Sequence, residues 1–401
     1  MSYAPGAVER AMKVQEVIVQ ALAGQLTWIQ AADILQLSPR SVRRWRWRLE
    51  RDGYDGLFDR RRRVPSPKRA PVAEVQRVLA LYRERYHGFN VRHFHQLARR
   101  DHGVRFCYAF VKKARQTAGL VPRHRPRGRH RRRREPRACF GELLHLDGSR
   151  HHWLPACPER WFTLIAVVDD ATKQLLYAHL HDGGESVPVI LLALRGVLQR
   201  YGIPMALYTD RAHWAVHTPT AGAAPDRRRL TQVGRALARL GIEHILGFSP
   251  QARGRSERAN RTLQDRLVNE YRLASISTLA AANRYLRQRF LPAFNREFGR
   301  AAADPASAFV PLGAVDLDQV LWVEEERVVG RDNVVTTTHL ALQLAKQPGR
   351  RSCAGLRVLV RRHLNGHHSV WYGSRCFGRF DPAGRPAPLA SAHHPAVRSR
   401  C

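Results

Sequence analysis

Three acidic residues of the 401-residue chain stand where carboxylates can share a metal ion. Asp147 ends an apolar run in LLHLDGS, Asp210 ends another in MALYTDRA, and Glu257 lies in SPQARGRSERANRTLQ, on the first turn of an expected long helix. Carboxylates at the carboxyl ends of neighbouring strands gather at one edge of an open sheet, and a helical glutamate can lean over that edge. Hard oxygen donors of this kind suit Mg2+ or Mn2+. Two such ions held about 4 Å apart activate an attacking oxygen and stabilise a leaving one, which is phosphoryl-transfer chemistry. Singly, each acid also reads as a turn former or helix cap. Asp169 and Asp170, at another strand end, are rival ligands; they rank behind Asp147 because Asp-Ala-Thr followed by polar residues reads as a hairpin turn. His151 and His152 are placed for proton transfer, but they are two of 20 histidines.

The elements that must position these acids are short apolar runs alternating with helices. Strands are expected at 143–146, 162–168, 175–180, 205–208 and 242–246, and helices at 185–201, 230–240, 254–272 and 279–298. Three strands in succession, then alternation, describe an α/β core over 139–300 with a mixed five-stranded sheet. Strand signals return at 315–381, with Asn365-Gly366 as a hairpin turn, and read as a small β-barrel. Residues 382–401, rich in Pro and Ala, read as a disordered tail.

The charge names the partner class. Lys and Arg number 68 against 33 acids, a net charge of +35. Only six of the bases are Lys, so coding preference has a share in the bias. Such a preference trades Lys for Arg, but it does not double bases over acids. A basic chain of this size implies a polyanionic partner, nucleic acid first. Residues 1–59 read as a helix-turn-helix domain: apolar residues recur at helical spacing over 9–50, and Ser38-Pro39 opens a third helix. That helix carries Arg40, Arg43, Arg44, Arg46 and Arg48 around Val42, Trp45 and Leu49, as a recognition helix would. A basic Pro/Arg linker (60–71) leads to a second helical DNA-binding unit (72–121), whose last helix bears Lys112, Lys113 and Arg115. An Arg-rich linker (122–138) follows. No apolar run is long enough to span a membrane, no Cys-x-x-Cys pair occurs among the six cysteines, and a soluble, unexported protein with reduced thiols is expected.

The segments LLHLDGSRHHW, LIAVVDDATKQLLYAHL, YGIPMALYTDRAHW, LTQVGRALARLGIEHILGFSPQARGRSERANRTLQDRL and FLPAFNREFG resemble the retroviral-integrase-like DDE transposases, and within them the bacterial insertion-sequence family ISNCY. The resemblance covers residues 10–380 and implies an RNase H-like core with the triad Asp147, Asp210 and Glu257, two Mg2+ or Mn2+ ions, nicking at transposon ends and strand transfer into target DNA. It alone supplies terminal inverted repeats as the DNA partner, a homo-oligomer assembled on DNA, and a cytoplasmic, nucleoid-associated setting. Arg255 and Arg258 flank Glu257 and are placed to meet the scissile phosphate, with Gln251 and Asn260 as further DNA contacts. The 47-residue interval from Asp210 to Glu257 exceeds that of many DDE relatives; an insertion, AVHTPTAGAAPDRRRLTQ, accounts for it and is typical of the family. The alternatives are an inactive or domesticated copy that only occupies DNA as a repressor, and a structure-specific or RNase H-type nuclease.

Overall fold

The computed structural model describes residues 5–58, 69–122, 135–218, 226, 228–247 and 256–388. They belong to two compact units, Met1–Ala80 and Leu81–Cys401. No helix among the described residues is long and apolar enough to cross a membrane.

In the first unit, α1 (Pro5–Leu22) buries Ala11, Val14, Val17, Ile18 and Ala21, one face at three- and four-residue spacing. Helix α2 (Trp28–Leu35) opens on a capping box between Thr27 and Gln30 and closes at Gln36 in the left-handed region, φ 52°. Helix α3 (Pro39–Asp52) starts from Ser38, whose Oγ accepts the Ser41 amide at 3.2 Å. Its inner face, Val42 with half-buried Trp45 and Leu49, packs on the α1 core, which a 3-10 turn at Tyr54–Leu57 completes with Leu57 and Phe58. Helix α4 (Val72–Glu84) runs across the unit boundary.

The second unit continues with α5 (Val91–His102) and α6 (Tyr108–Thr117). Here one expectation needs correcting. Arg115, grouped by sequence with Lys112 and Lys113 as a DNA-facing base, is fully buried. It lies four residues after buried Val111, so it shares the inner helix face. Its guanidinium sits 3.6 Å from the Tyr82 ring centroid and donates to the Phe89 carbonyl at 3.0 Å. Lys112 and Lys113 remain exposed. The outer face of α5 is occupied as well: Asn90 bonds Asp265, His93 bonds Glu270 at 3.0 Å, and Gln96 bonds Glu297.

Then come β1 (Leu143–His151), β2 (Phe162–Asp169) and β3 (Leu175–Asp182), consecutive antiparallel strands, followed by α7 (Val187–Tyr201), β4 (Ala206–Thr209), α8 (Gln232–Arg239) and β5 (Glu243–Leu246). Strands β4 and β5 run parallel to β1, and the sheet order is β3-β2-β1-β4-β5. Strand alternation divides the core. Leu144, Leu146, Ile165 and Val167 face α7 and α8, whereas Phe162, Leu164, Ala166 and Val168 face α9 (Ser256–Leu273), α10 (Leu279–Tyr285) and α11 (Leu291–Phe298). The single helix expected over 279–298 is interrupted by a π-helical turn at Leu286–Phe290, just before Pro292, whose ring nitrogen cannot donate to the preceding turn.

Strand β1 does not end at Asp147, as its sequence implied. It runs on to His151 because β2 stays paired with it as far as His151 and Phe162.

The last region holds β6 (Trp322–Val328), β7 (Val334–Thr336), β8 (Ala341–Gln343), β9 (Arg357–His363), β10 (His368–Tyr372), β11 (Arg375–Phe380) and β12 (Pro386–Ala387). The expected small barrel is instead an open sheet, β12-β11-β10-β9-β6, beside a two-stranded β7–β8 hairpin. Closure is blocked at the β6 edge, where the Gln232 side chain of α8 takes both backbone groups of Glu324, donating to its carbonyl at 2.7 Å and accepting its amide at 3.2 Å. The expected disordered tail, 382–401, begins with residues that are ordered. Residues 386–387 pair with Arg379 and Phe380 of β11, and residues 389–401 lie outside the described residues.

Candidate active site

The interval between the first two acids is the strand register itself. Leu143 pairs with Ala206, Leu144 with Leu207 and His145 with Tyr208, each pair separated by 63 residues. Asp147 and Asp210 have the same separation; the ladder ends at His145 and Tyr208, two residues before each acid. Asp147 is half-buried on the α9 side of β1, opposite Ala166. Asp210 stands just past the end of β4, and its Oδ1 accepts the Ala212 amide at 2.9 Å, which turns the chain away from the sheet. Thr209, fully buried beneath it, donates Oγ1–H to the Asp210 carbonyl at 2.9 Å and shares a second bond with His244 Nε2.

Helix α9 is registered on β1 by two amides. Asn260 Nδ2 donates to Asp147 Oδ2 at 2.9 Å, and Gln264 Nε2 donates to Ser149 Oγ at 2.9 Å. Glu257 precedes Asn260 by three residues and Gln264 by seven, so the three share one face of the helix. Glu257 is exposed there, and the segment before it, 248–255, lies outside the described residues. Among the described residues, no group of three or more His, Cys, Asp or Glu side chains is drawn together closely enough to hold a metal. The structure thus carries Asp147 on β1 and Asp210 just past the neighbouring β4 and lays α9 against Asp147, without gathering the three acids into one group. As donors, a carboxylate on β1, a second just past β4 and a third on the facing helix are the hard oxygen set that a divalent cation takes.

The rival acids are excluded by their partners. Asp169 is 1% exposed and accepts from the Gly141 amide, the Thr172 amide and Thr172 Oγ1 at 3.0, 2.7 and 2.6 Å. Asp170, equally buried, accepts the Arg137 amide at 2.8 Å and bonds His145 Nε2 at 2.8 Å. Both carboxylates are consumed in fastening the chain around 137–141 to the sheet. His151 lies four residues beyond Asp147 on an extended strand, roughly 13 Å away at ~3.3 Å per residue, and burial holds its imidazole below the usual pKa. His152 lies against Trp161, with ring centroids 3.9 Å apart and the planes tilted by 46°. Neither is placed for proton transfer at Asp147.

Of the proposed DNA contacts around Glu257, Arg258 is exposed, whereas Gln251 and Arg255 lie outside the described residues. Asn260 turns its amide inward to Asp147. In the first unit, α3 exposes Arg40, Arg43, Arg44 and Trp47, a stripe at three- and four-residue spacing. Arg46 is held by Glu50 at 2.7 Å and lies over Trp28, and Arg48 lies over Trp45. The helical period alone separates the two sets, and it adds Trp47, which sequence reasoning passed over.

Sequence reasoning also missed Glu185. It follows β3 by three residues, and its Oε2 accepts the Trp214 indole N–H at 2.7 Å. Its carboxylate lies so close against Gly148 that a Cβ there would stand 2.5 Å from Glu185 Cδ. The Asp-Gly pair in HLDGS is the only local trace of this contact.

A helix-turn-helix unit with an exposed arginine stripe, joined to an α/β domain with a mixed five-stranded sheet, is the make-up of a DNA-binding protein. Residues 15–78 match the family described as winged helix-turn helix. The chain is 31% identical over 369 residues to the Sinorhizobium fredii protein named "Putative transposase y4bF", covering 91% of this chain and 79% of that one. It is 28% identical to the transposase for insertion sequence IS1202 of Streptococcus pneumoniae, over 70% of this chain and 67% of that one. The chain belongs to this family of insertion-sequence transposases. A chain in the cryo-electron-microscopy structure of the simian T-cell lymphotropic virus intasome with a PP2A regulatory subunit is similar at a TM-score of 0.29 and 13% identity, over 60% of this chain and 80% of that one.

Proposed function

We propose that this transposase is a DDE enzyme of the ISNCY type, with an RNase H-like core in which Asp147, Asp210 and Glu257 hold divalent Mg2+ or Mn2+. The observation that carries the reading is that Asp147 stands on β1 and Asp210 just past the end of β4, the parallel strand paired with β1. The strand order β3-β2-β1-β4-β5, with the first three antiparallel and the rest parallel, supports it. When bound, the ions activate the attacking oxygen and stabilise the leaving one during nicking and strand transfer. The chain's own residues do the positioning. Asn260 orients the Asp147 carboxylate, the Ala212 amide orients that of Asp210, and Arg258, exposed beside Glu257, meets the scissile phosphate in this reading. Arg40, Arg43 and Arg44 read the transposon ends, and Lys112 and Lys113 contact phosphates. Synapsis of two ends calls for a homo-oligomer assembled on DNA.

The test incubates the full-length protein with a labelled duplex bearing its flanking inverted repeat and Mg2+ or Mn2+, beside the Asp147→Asn variant. Nicking and joining by the wild type, with binding alone by the variant, is the expected result. If both bind the repeat and neither cuts it, the enzymatic reading falls and that of a DNA-occupying repressor replaces it.

A further inference from the structure

We propose that Glu185 is the positioning residue that sets the spacing of Asp147 and Asp210 by tying β1 to the loop that leaves Asp210. The inference rests on the metal-holding role proposed above for those two acids. Glu185 is not itself placed as a ligand. Successive strand residues face opposite sides of a sheet, so Gly148, against which Glu185 lies, faces the α7 side, while Asp147 faces α9.

The tie has two ends. At one, the carboxylate fills the space a side chain at position 148 would take, bracing β1 one residue from Asp147. At the other, Oε2 accepts from Trp214, which is 2% exposed and packed in the core formed with α7 and α8. Trp214 is four residues past Asp210, in the turn that the Ala212 amide begins by bonding Asp210 Oδ1. Strand β4 ends at Thr209, so beyond that point no ladder fixes Asp210 relative to β1. Glu185 bridges that gap: one carboxylate fixes the backbone beside the first acid and the anchor of the loop that carries the second. A shift at either end changes the distance between two metal-holding oxygens, on which affinity for a hard cation depends.

The experiment titrates Mn2+ against the full-length chain by electron paramagnetic resonance and measures amide hydrogen exchange over residues 210–216. The proteins are wild type, Asp147→Asn, Glu185→Ala, Glu185→Gln, Trp214→Phe and the Glu185→Ala/Trp214→Phe double variant. Glu185→Ala and Trp214→Phe are each expected to weaken Mn2+ binding three- to ten-fold and to speed exchange in the loop. The double variant should be no worse than Glu185→Ala, because both changes break one tie. Glu185→Gln should stay within two-fold of wild type, since its amide oxygen still accepts from the indole. Additive single effects, an unaltered Glu185→Ala, or a Glu185→Gln as weak as Glu185→Ala would overturn the inference while leaving the metal reading intact. Wild type binding Mn2+ no better than Asp147→Asn would sink the metal reading and, with it, the role assigned to Glu185; exchange in the loop would then report only whether the tie exists.

Discussion

Asn260 Nδ2 on α9 donates to Asp147 Oδ2 on β1 across 2.9 Å, joining residues 113 positions apart in the chain. This bond sets how far α9 stands along β1, and with it the position of Glu257, one turn earlier on the same helix face. A hydrogen bond to a charged group contributes about 1.5–3 kcal/mol, which is roughly ten- to a hundred-fold in rate if it is needed in the transition state. Asn260→Ala is accordingly expected to lower the rate of strand nicking by that factor while leaving affinity for the inverted repeat unchanged. Equal loss in both assays would place Asn260 on DNA rather than on Asp147.

Asp147 and Asp169 should separate cleanly. Asp169→Ala strips three buried donors of their acceptor, at roughly 1–3 kcal/mol for each buried group left unsatisfied. It should unfold the domain at markedly lower denaturant. Asp147→Asn should keep the wild-type midpoint within about 0.5 M urea, from a change under ~1 kcal/mol at a typical slope, and lose nicking. A stable but inactive Asp169→Ala protein would restore Asp169 as a rival ligand.

Helix α6 carries bases of two kinds. Lys112→Ala and Lys113→Ala should each weaken DNA binding and reduce the salt slope by about 0.9, as loss of one phosphate contact does, with folding unaltered. Arg115→Ala should instead destabilise the second unit, because it empties the space over Tyr82 and leaves the Phe89 carbonyl unpaired. Salt-dependent binding and urea unfolding, measured on the same three variants, distinguish the roles.

On the first unit, Arg43→Ala and Arg44→Ala are expected to cost about 1–3 kcal/mol of discrimination between the repeat and unrelated DNA if they reach base edges. Arg46→Ala, removing a residue already held by Glu50 and Trp28, should alter discrimination little. Competition binding with a scrambled duplex decides; a larger loss at Arg46 than at Arg43 would mean that the opposite face of α3 enters the groove.

Burial pushes the His181 imidazole down to about 4, with neighbouring His179 also lowered, first by burial. The unfolded chain protonates these rings near pH 6.5. Between pH 6.5 and 4 the unfolded state therefore binds more protons than the folded one, and stability falls as pH falls. Above 6.5 the effect vanishes. The drop in melting temperature from pH 7 to pH 4.5 should be smaller in His181→Gln than in wild type; identical drops would remove His181 as its source.

Much of the fold was legible because its signals are local. Apolar runs of four to seven residues announced all five strands of the central sheet, and Ser38-Pro39 announced α3, since capping and strand burial depend on neighbours in the chain. The extent of β1 was not legible, because a strand ends where its partner leaves it, and β2 stays to Phe162. The open β6 edge was hidden for the same kind of reason: its cover, Gln232, lies 92 residues away.

By itself, the sequence determined that the protein is a basic DNA-binding chain, with a helix-turn-helix start and an α/β core, because composition and periodicity carry charge and burial. Tertiary structure alone decided what each polar group does. It buried Arg115 and spent Asp169 and Asp170 on backbone amides. It placed Asp147 on β1 and Asp210 past the end of neighbouring β4, and it brought Asn260 and Glu185 to either side of β1. Those roles rest on contacts between residues tens to a hundred positions apart, whose partners no local pattern specifies.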